Sequence, residues 1–204
     1  MIKYYDTHAH TNLQPLDQEF DKIAKECQEN GIIFNVIGTN YEDSLIAIKQ
    51  AQSYPNTIKA TIGFHPSEVS DLNKIAWLEK LYCENKQHIV AIGEVGLDYH
   101  YPDYNKQLQI EAFKQEIALA NEYHLPIVVH VRDAHVDCLK ILEEAKTKVL
   151  IHCYSANKEI AKKYIERDYY FAFGGITTFK KSIDVVEVLK IIPLNRLLIE
   201  TDCP

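Results

Sequence analysis

Two histidines near the start of the chain have the spacing of a metal-binding pair. His8 and His10 lie two residues apart in the apolar segment 4–10. Side chains of an extended strand alternate between its two faces, so both imidazoles project to the same side. Histidine is a common nitrogen ligand of zinc and related ions, and catalytic sites add carboxylates and leave one position open for water. Solvated histidines share this spacing, so the pair needs further ligands to predict a metal site.

Further residues of the ligand type follow other apolar segments of the chain. They are His65, Glu94, His130, His152 and Asp202. An isolated histidine is most simply explained as a hydrogen-bonded buried group. Burying seven such groups together is costly unless metal ions or hydrogen bonds compensate. The set as a whole therefore predicts a metal-dependent catalytic site, provided that the fold brings the residues together.

Apolar runs rich in β-branched residues alternate with segments of helical period. In the helical segments, apolar residues three and four apart form one stripe, as in Ile110, Phe113, Ile117 and Ala120. A strand followed by a helix takes up the repeat of about 22 to 36 residues between successive runs. The runs predict eight strands, at 4–10, 32–38, 58–65, 89–97, 126–131, 149–154, 169–174 and 197–201.

Eight apolar strands, each followed by a helix, favour a (β/α)8 TIM barrel over an open doubly wound sheet. No glycine loop has the spacing of a dinucleotide or phosphate-binding fingerprint. Barrel enzymes carry their active sites at the carboxyl ends of the strands, and the seven ligand-type residues fall there. Such barrels take about 250 residues, so we expect the helix after the eighth strand to be lacking, which would expose a seam beside strands eight and one.

Composition indicates an ordinary globular protein. The 204 residues are 47% hydrophobic and 25% charged, and one domain over 1–204 is the expectation. No apolar run reaches the roughly 18 to 20 residues of a membrane span, and no signal peptide is evident, so we expect a cytoplasmic protein. Five scattered cysteines do not suggest disulfides. The net charge of −7 argues against holding nucleic acid through a basic surface, although an anionic substrate is compatible with bound cations.

With these residues in view, the chain resembles the TatD family of metal-dependent deoxyribonucleases, within the amidohydrolase-like hydrolases. The glutamate segment and the closing Thr-Asp-x-Pro are the specific parts of the resemblance. The matching motifs span the chain in order and are DTHAH at 6–10, GFHP at 63–66, GEVGLDY at 93–99, HVR at 130–132, HCYS at 152–155 and ETDCP at 200–204.

The resemblance implies a site for two divalent metal ions, zinc, manganese or magnesium. One ion would take His8, His10 and Asp202, and the other His130 and His152, with Glu94 as the bridge because a carboxylate has two oxygens. Two such ions activate a shared water and neutralise the developing charge of a phosphodiester. Asp202 is the candidate general base. Ligation by histidine favours transition metals, whereas magnesium prefers oxygen.

Substrate contacts are less well defined by the sequence. His65 and Arg132 are candidates for holding a phosphate oxygen, Arg132 through a bidentate fork, but Arg132 could instead pair with Asp98 or Asp133. Asp98 is a candidate for orienting His130 or another ligand from behind the metal ligands. Further candidates are Lys180 and Lys181, which could reach the same anion, and Tyr99, Tyr101 and Tyr104, which could stack a base or simply pack.

Three hypotheses for the function follow. The leading one, which the resemblance implies, is a metal-dependent hydrolase that cleaves DNA as a single-strand 3′-5′ exodeoxyribonuclease. The second is hydrolysis of another ester or amide, such as deacylation of a D-aminoacyl-tRNA, because fold and metals do not fix the substrate. The third is a non-enzymatic role, in which the shortened barrel binds metal, or binds a partner through the exposed seam beside strands eight and one.

Overall fold

The computed structural model describes residues 2–204 and shows a closed barrel of eight parallel strands. Each strand pairs with its neighbours in chain order, and β1 also pairs with β8. The predicted (β/α)8 barrel is therefore confirmed, with all eight strands in place. The strands are β1 (Tyr4–Ala9), β2 (Ile32–Ile37), β3 (Ile58–Ile62), β4 (Ile89–Asp98), β5 (Ile127–Arg132), β6 (Val149–Ile151), β7 (Tyr170–Phe173) and β8 (Leu197–Ile199).

Helices alternate with the strands and cover the outside of the barrel. Among residues 2–204, a helix follows each of the first seven strands, and none of these helices is long and apolar enough to cross a membrane. The predicted apolar stripe of the helix Lys106–Tyr123 is buried at Phe113, Ile117 and Ala120. The helices are α1 (Phe20–Asn30), α2 (Tyr41–Ser53), α3 (Ala76–Asn85), α4 (Lys106–Tyr123), α5 (His135–Ile141), α6 (Lys158–Ile165) and α7 (Ile183–Leu189).

Three strands end clearly earlier than the sequence suggests. The predicted strands 58–65, 149–154 and 197–201 end at Ile62, Ile151 and Ile199. Cys153 has φ 43° and Asp202 has φ 53°, and this left-handed conformation is incompatible with an extended strand. His152 and Asp202 therefore lie in the turns that leave the barrel, where the backbone aims their side chains across its mouth.

A small apolar cluster lies below those turns. Ala91, Val128, Leu150 and Ala172 pack together on four adjacent strands. Val128 precedes His130 by two residues on β5 and therefore shares its strand face, and Leu150 lies two residues before His152. The apolar cluster thus supports the polar residues at the carboxyl ends of the strands.

The segment after β8 is tied to β1 by one carboxylate. Asp6 Oδ1 accepts hydrogen bonds from the backbone N–H groups of His8 and Thr201, at 3.1 and 3.0 Å. Asp6 Oδ2 accepts from the Thr201 hydroxyl at 2.7 Å. Backbone bonds from Asp202 N to His8 O and from His10 N to Cys203 O, both 2.8 Å, continue the connection. These contacts fix the positions of His8, His10 and Asp202 relative to one another.

Gly96 permits the close approach of β4 and β5. Its φ is +138°, and a Cβ atom there would lie 2.1 Å from the carbonyl oxygen of His130. We predict that Gly96→Ala lowers the free energy of unfolding by about 2 kcal/mol or more, measured by urea denaturation. Gly175→Ala is the control, because nothing lies within 4 Å of its Cβ position. Equal stabilities of the two variants would contradict the prediction.

Candidate metal centre

The ligand-type side chains, which lie on or just after six different strands, converge at the carboxyl end of the barrel. Six of the seven predicted residues line a cavity of about 660 Å³, and His8 is completely buried beneath it. The sequence prediction that one rim collects these residues thus agrees with their positions. The lining residues from that set are His10, His65, Glu94, His130, His152 and Asp202.

A first group of donor atoms surrounds one point at the β1 side of the cavity. The Nε2 atoms of His8 and His10 are 3.1 Å apart. Glu94 Oε2 lies 3.4 and 3.7 Å from these two nitrogens, and Asp202 Oδ1 lies 3.6 Å from each. Tetrahedral ligands about 2.1 Å from one ion are about 3.4 Å from each other, so these spacings suit a shared cation.

A second group of donor atoms surrounds the other oxygen of Glu94. Oε1 of Glu94 lies 3.0 Å from His130 Nδ1 and 2.7 Å from His152 Nε2, and the two nitrogens are 3.4 Å apart. His65 Nε2 is 3.8 Å from the same oxygen. Each oxygen of Glu94 therefore faces its own set of imidazoles.

The chemistry of this donor set fits bound cations. Two facing imidazole nitrogens can share at most one proton, and a carboxylate donates nothing. The buried Nδ1 atoms of His8 and His10 have no hydrogen-bond partner among the described residues, so both rings are fixed mainly through Nε2. Convergence of nitrogen and carboxylate ligands in a low-dielectric cavity is unfavourable without a positive charge between them.

Ionisation within the centre also favours ligand chemistry. Burial alone would raise the pKa of Glu94, but the imidazoles of His152, His8 and His130 outweigh it and hold the pKa well below its ordinary value. Burial lowers the pKa of His8 to about 4, so its ring is neutral and carries a free lone pair at neutral pH. Burial also acts to lower the pKa of His152, but Glu94, Glu200 and Asp202 raise it to about 9. The buried carboxylates of the centre therefore stabilise a positive charge placed between them.

Asp98 lies behind His130, where the sequence prediction placed it. Its Oδ2 is 3.1 Å from His130 Nε2, and its Oδ1 accepts from the backbone N–H of His100 at 2.9 Å. The contact occupies Nε2 of His130 and leaves Nδ1 directed at Glu94. Burial opposes ionisation of Asp98, but the bonds from His130 and His100 N–H lower its pKa. This arrangement is the usual way in which a carboxylate orients a histidine ligand.

Three buried side chains on the surrounding helices hold the main chain beside the centre. Gln50 on α2 accepts from the Thr11 hydroxyl at 2.7 Å and donates to Thr11 O at 3.0 Å. Gln109 on α4 accepts from Asp98 N at 2.9 Å and donates to Asp98 O at 3.0 Å. Glu116 on α4 accepts from Phe64 N at 2.8 Å. These residues, called the supporting side chains below, fix segments next to His10, His130 and His65.

Sequence reasoning missed the supporting side chains and assigned no role to Glu200. Glu200 is buried, its Oε1 accepts from Cys153 N at 2.6 Å, and the same oxygen lies 3.8 Å from His152 Nδ1. Burial raises the pKa of Glu200 to about 7, although His152 acts in the opposite direction. A signal for Glu116 was available, because it interrupts the apolar stripe of Phe113 and Ile117 on α4.

The candidate substrate contacts occupy different environments. His65 faces Glu94, and its Nδ1 is 2.7 Å from the Ser67 hydroxyl. Arg132 is exposed, and within residues 2–204 its guanidinium has no ion-pair partner; it lies 5.6 Å from the Tyr101 ring centre. The alternative pairing of Arg132 with Asp98 or Asp133 is therefore not found, and Asp133 instead contacts His100.

The remaining candidates lie farther from the centre. Lys180 and Lys181 are exposed and do not line the cavity. Tyr99 stacks on Tyr104 with ring centres 4.7 Å apart, and its hydroxyl donates to Asp137 at 3.1 Å. Tyr99 therefore has a packing role, whereas Tyr101 is 55% exposed beside Arg132.

Comparison with known proteins assigns the family. Residues 5–204 match the family described as TatD related DNase. The chain belongs to this family. The uncharacterized metal-dependent hydrolase YabD of Bacillus subtilis is 37% identical over 206 residues, which cover 98% of this chain and 80% of the relative. MG009 of Mycoplasma genitalium, also an uncharacterized metal-dependent hydrolase, is 38% identical over 213 residues and matches 100% of this chain and 81% of its own length.

A solved structure supports the same fold. YJJV, a TatD homolog from Escherichia coli K12, superimposes with a TM-score of 0.90 at 24% identity, covering 98% of this chain and 78% of that protein. Family and relatives together establish a TatD-family metal-dependent hydrolase. The resemblance stated from the six motifs is thus confirmed.

The buried carboxyl group of Glu116 predicts that the stability of this protein depends on pH. Burial raises its pKa well above the ordinary value, although the Phe64 N–H opposes this. The folded chain therefore keeps a proton that the unfolded chain releases, and this contribution to stability is complete below the ordinary pKa and is lost as pH rises. Because glutamine cannot ionise, we predict that Glu116→Gln gains stability relative to the parent by up to about 1.4 kcal/mol per pH unit.

Urea denaturation of both proteins from about pH 5 to about pH 8 measures this difference. Glu166→Gln is the control, because Glu166 is exposed at the end of α6. Parallel stability curves for the parent and Glu116→Gln would show that Glu116 is already ionised in the folded state.

Proposed function

We propose that this hydrolase cleaves phosphodiester bonds of DNA as a single-strand 3′-5′ exodeoxyribonuclease with two divalent metal ions. The observation that carries the proposal is the position of Glu94, whose two oxygens face separate imidazole groups. Two adjacent cations suit a phosphodiester substrate, because charge develops on both the attacking and the leaving oxygen.

In this proposal, His8, His10 and Asp202 would hold one ion and His130 and His152 the other, and Glu94 would serve as a ligand of both. Bound divalent ions supply charge neutralisation at the phosphate and make hydroxide available near neutral pH. The ligand set of four imidazoles and two carboxylates favours zinc or manganese over magnesium. Asp98, Gln109 and Glu200 keep the imidazoles and their main chain in position.

Asp202 is the proposed general base. Burial would raise its pKa, but the hydrogen bond with His10 and the charges of His152 and His8 lower it to about 2, so the carboxylate is ionised at neutral pH. Its side chain is 37% exposed, in contrast to the 5% of Glu94, and it lines the open cavity. An Asp202 carboxylate oxygen can therefore accept the proton of the attacking water while its main chain stays fixed.

His65 and Arg132 are the proposed phosphate contacts. The Arg132 guanidinium, which has no ion-pair partner within residues 2–204, lies at the edge of the cavity, where two of its N–H groups can bind two phosphate oxygens. His65 Nε2 faces the centre and can donate to a third position on the same phosphate. Tyr101, exposed beside Arg132, provides a face on which an unpaired base can stack.

We predict that Glu94→Gln lowers metal-dependent cleavage at least about 100-fold while the chain remains folded, because an amide cannot bridge two cations as a carboxylate does. The assay uses a single-stranded oligonucleotide labelled at its 5′ end, with manganese, with magnesium or with chelator. Progressive shortening of the labelled strand is the expected pattern. An oligonucleotide labelled at its 3′ end should release the label as the first product.

Glu166→Gln is the matched control, since it makes the same chemical change at an exposed position. Circular dichroism is used to check that each variant is folded. Near-parental cleavage by Glu94→Gln would exclude the bridging role. If the parent binds metal but leaves DNA intact, the substrate is another ester or amide, such as a D-aminoacyl-tRNA.

A further inference from the structure

A second cavity adjoins the metal centre on the same face of the barrel. It measures about 590 Å³ and lies between the loop after β4 and the starts of α5 and α6. Arg132 and Ser155 line both cavities, so the two spaces meet at these residues. None of the proposed metal ligands lines the second cavity, which we call the outer cavity.

The lining of the outer cavity combines apolar and hydrogen-bonding groups. Val136, in the first turn of α5, is 60% exposed, and Ile160 of α6 also contributes to the apolar part. Ser155 and His135 contribute polar atoms. His135 Nδ1 is 3.1 Å from the Tyr164 hydroxyl, which fixes the ring, and burial lowers its pKa to about 4 so that the ring is neutral.

The carboxylates near the outer cavity are already matched. Asp133 Oδ2 contacts His100 Nδ1 at 2.9 Å. Asp137 contacts Lys106 Nζ at 2.6 Å and accepts from the Tyr99 hydroxyl. Arg132, at the boundary, is the charged group that no described carboxylate matches. The pair of cavities therefore suits an anion at the metal centre that is joined to a neutral, partly apolar group outside it.

We propose that the outer cavity is a nucleoside subsite, which binds one of the two nucleosides flanking the scissile phosphate. Its size lies within the roughly 300 to 1,000 Å³ of small-molecule sites. The inference rests on the proposed function and narrows it, because it makes a nucleotide polymer the substrate class in preference to a small phosphodiester. Val136 and the His135 ring contact the nucleoside, while Arg132 holds the phosphate at the junction.

Filling the outer cavity tests the subsite. Val136→Trp places a large side chain there, and Val136→Glu adds a charge of the same sign as the substrate. Two manganese-dependent reactions are compared, cleavage of thymidylyl-thymidine and cleavage of methyl p-nitrophenyl phosphate, which carries no nucleoside. We predict that both variants raise KM for the dinucleotide about tenfold or more, because the nucleoside loses its contacts in the outer cavity.

The small ester should be cleaved at a near-parental kcat/KM by both variants. Val186→Trp is the matched control, because Val186 is a partly exposed valine of α7, 38% exposed, that lines neither cavity. Equal losses on both substrates, or no loss on the dinucleotide, would overturn the subsite.

Calorimetric binding of the dinucleotide separates this inference from the proposed reaction. A Kd that Val136→Trp leaves unchanged would overturn the subsite whether or not the parent hydrolyses DNA. A Kd raised about tenfold by Val136→Trp, but not by Val186→Trp, would support it even if no phosphodiester is cleaved. In that case the proposed nuclease reaction alone would fail.

Discussion

Burial of the Glu94 carboxylate among histidines is the interaction on which the carboxyl end of the barrel depends. A charged carboxylate loses its hydration when it is buried, and this costs several kcal/mol unless positive groups replace the water. Imidazoles from β1, β5 and the turn after β6 approach its two oxygens within 2.7 to 3.4 Å. Strands far apart in sequence must therefore keep their ends in a fixed relation. A shift of one residue in any of them would direct its histidine away from the mouth.

That fixed relation comes from polar contacts outside the barrel wall as much as from the wall itself. Apolar packing holds β4, β5 and β6 together but does not fix the position of each loop along the barrel axis. Gln50, Gln109 and Glu116 each bind main-chain atoms beside the centre, and Asp6 binds Thr201 across the β1–β8 seam. Each of these side chains is fixed by its own strand or helix. The position of each candidate metal ligand therefore depends on a hydrogen bond that a neighbouring residue makes. Families of barrel hydrolases can thus vary their loops while the geometry of the centre remains.

The sequence predicted the strands well because a parallel strand buried on both faces is a nearly continuous apolar run. It predicted the grouping of His8, Glu94 and His152 because a barrel brings the ends of all its strands to one rim. The strand limits at Cys153 and Asp202 could not be predicted, because their left-handed backbone depends on contacts with distant segments such as β1. Gln109 was missed for a similar reason, and the apolar stripe on α4 could indicate that Glu116 is buried but not which group it binds. A polar residue in a helix is normally solvated, and only the folded chain shows the buried peptide group that it satisfies.

The acidity of the chain bears on how it could act on a polyanion. With a net charge of −7, the surface as a whole repels nucleic acid, and screening limits any attraction to about 10 Å around a local positive charge. Arg132 and the cations that the ligand set would hold are concentrated in one cavity, so attraction would act only on the segment of substrate that enters it. Affinity would then depend on a few contacts near the reacting phosphate, and a long flanking strand would add little. An enzyme that acts on chain ends benefits from this arrangement, because the shortened strand leaves readily after each cleavage.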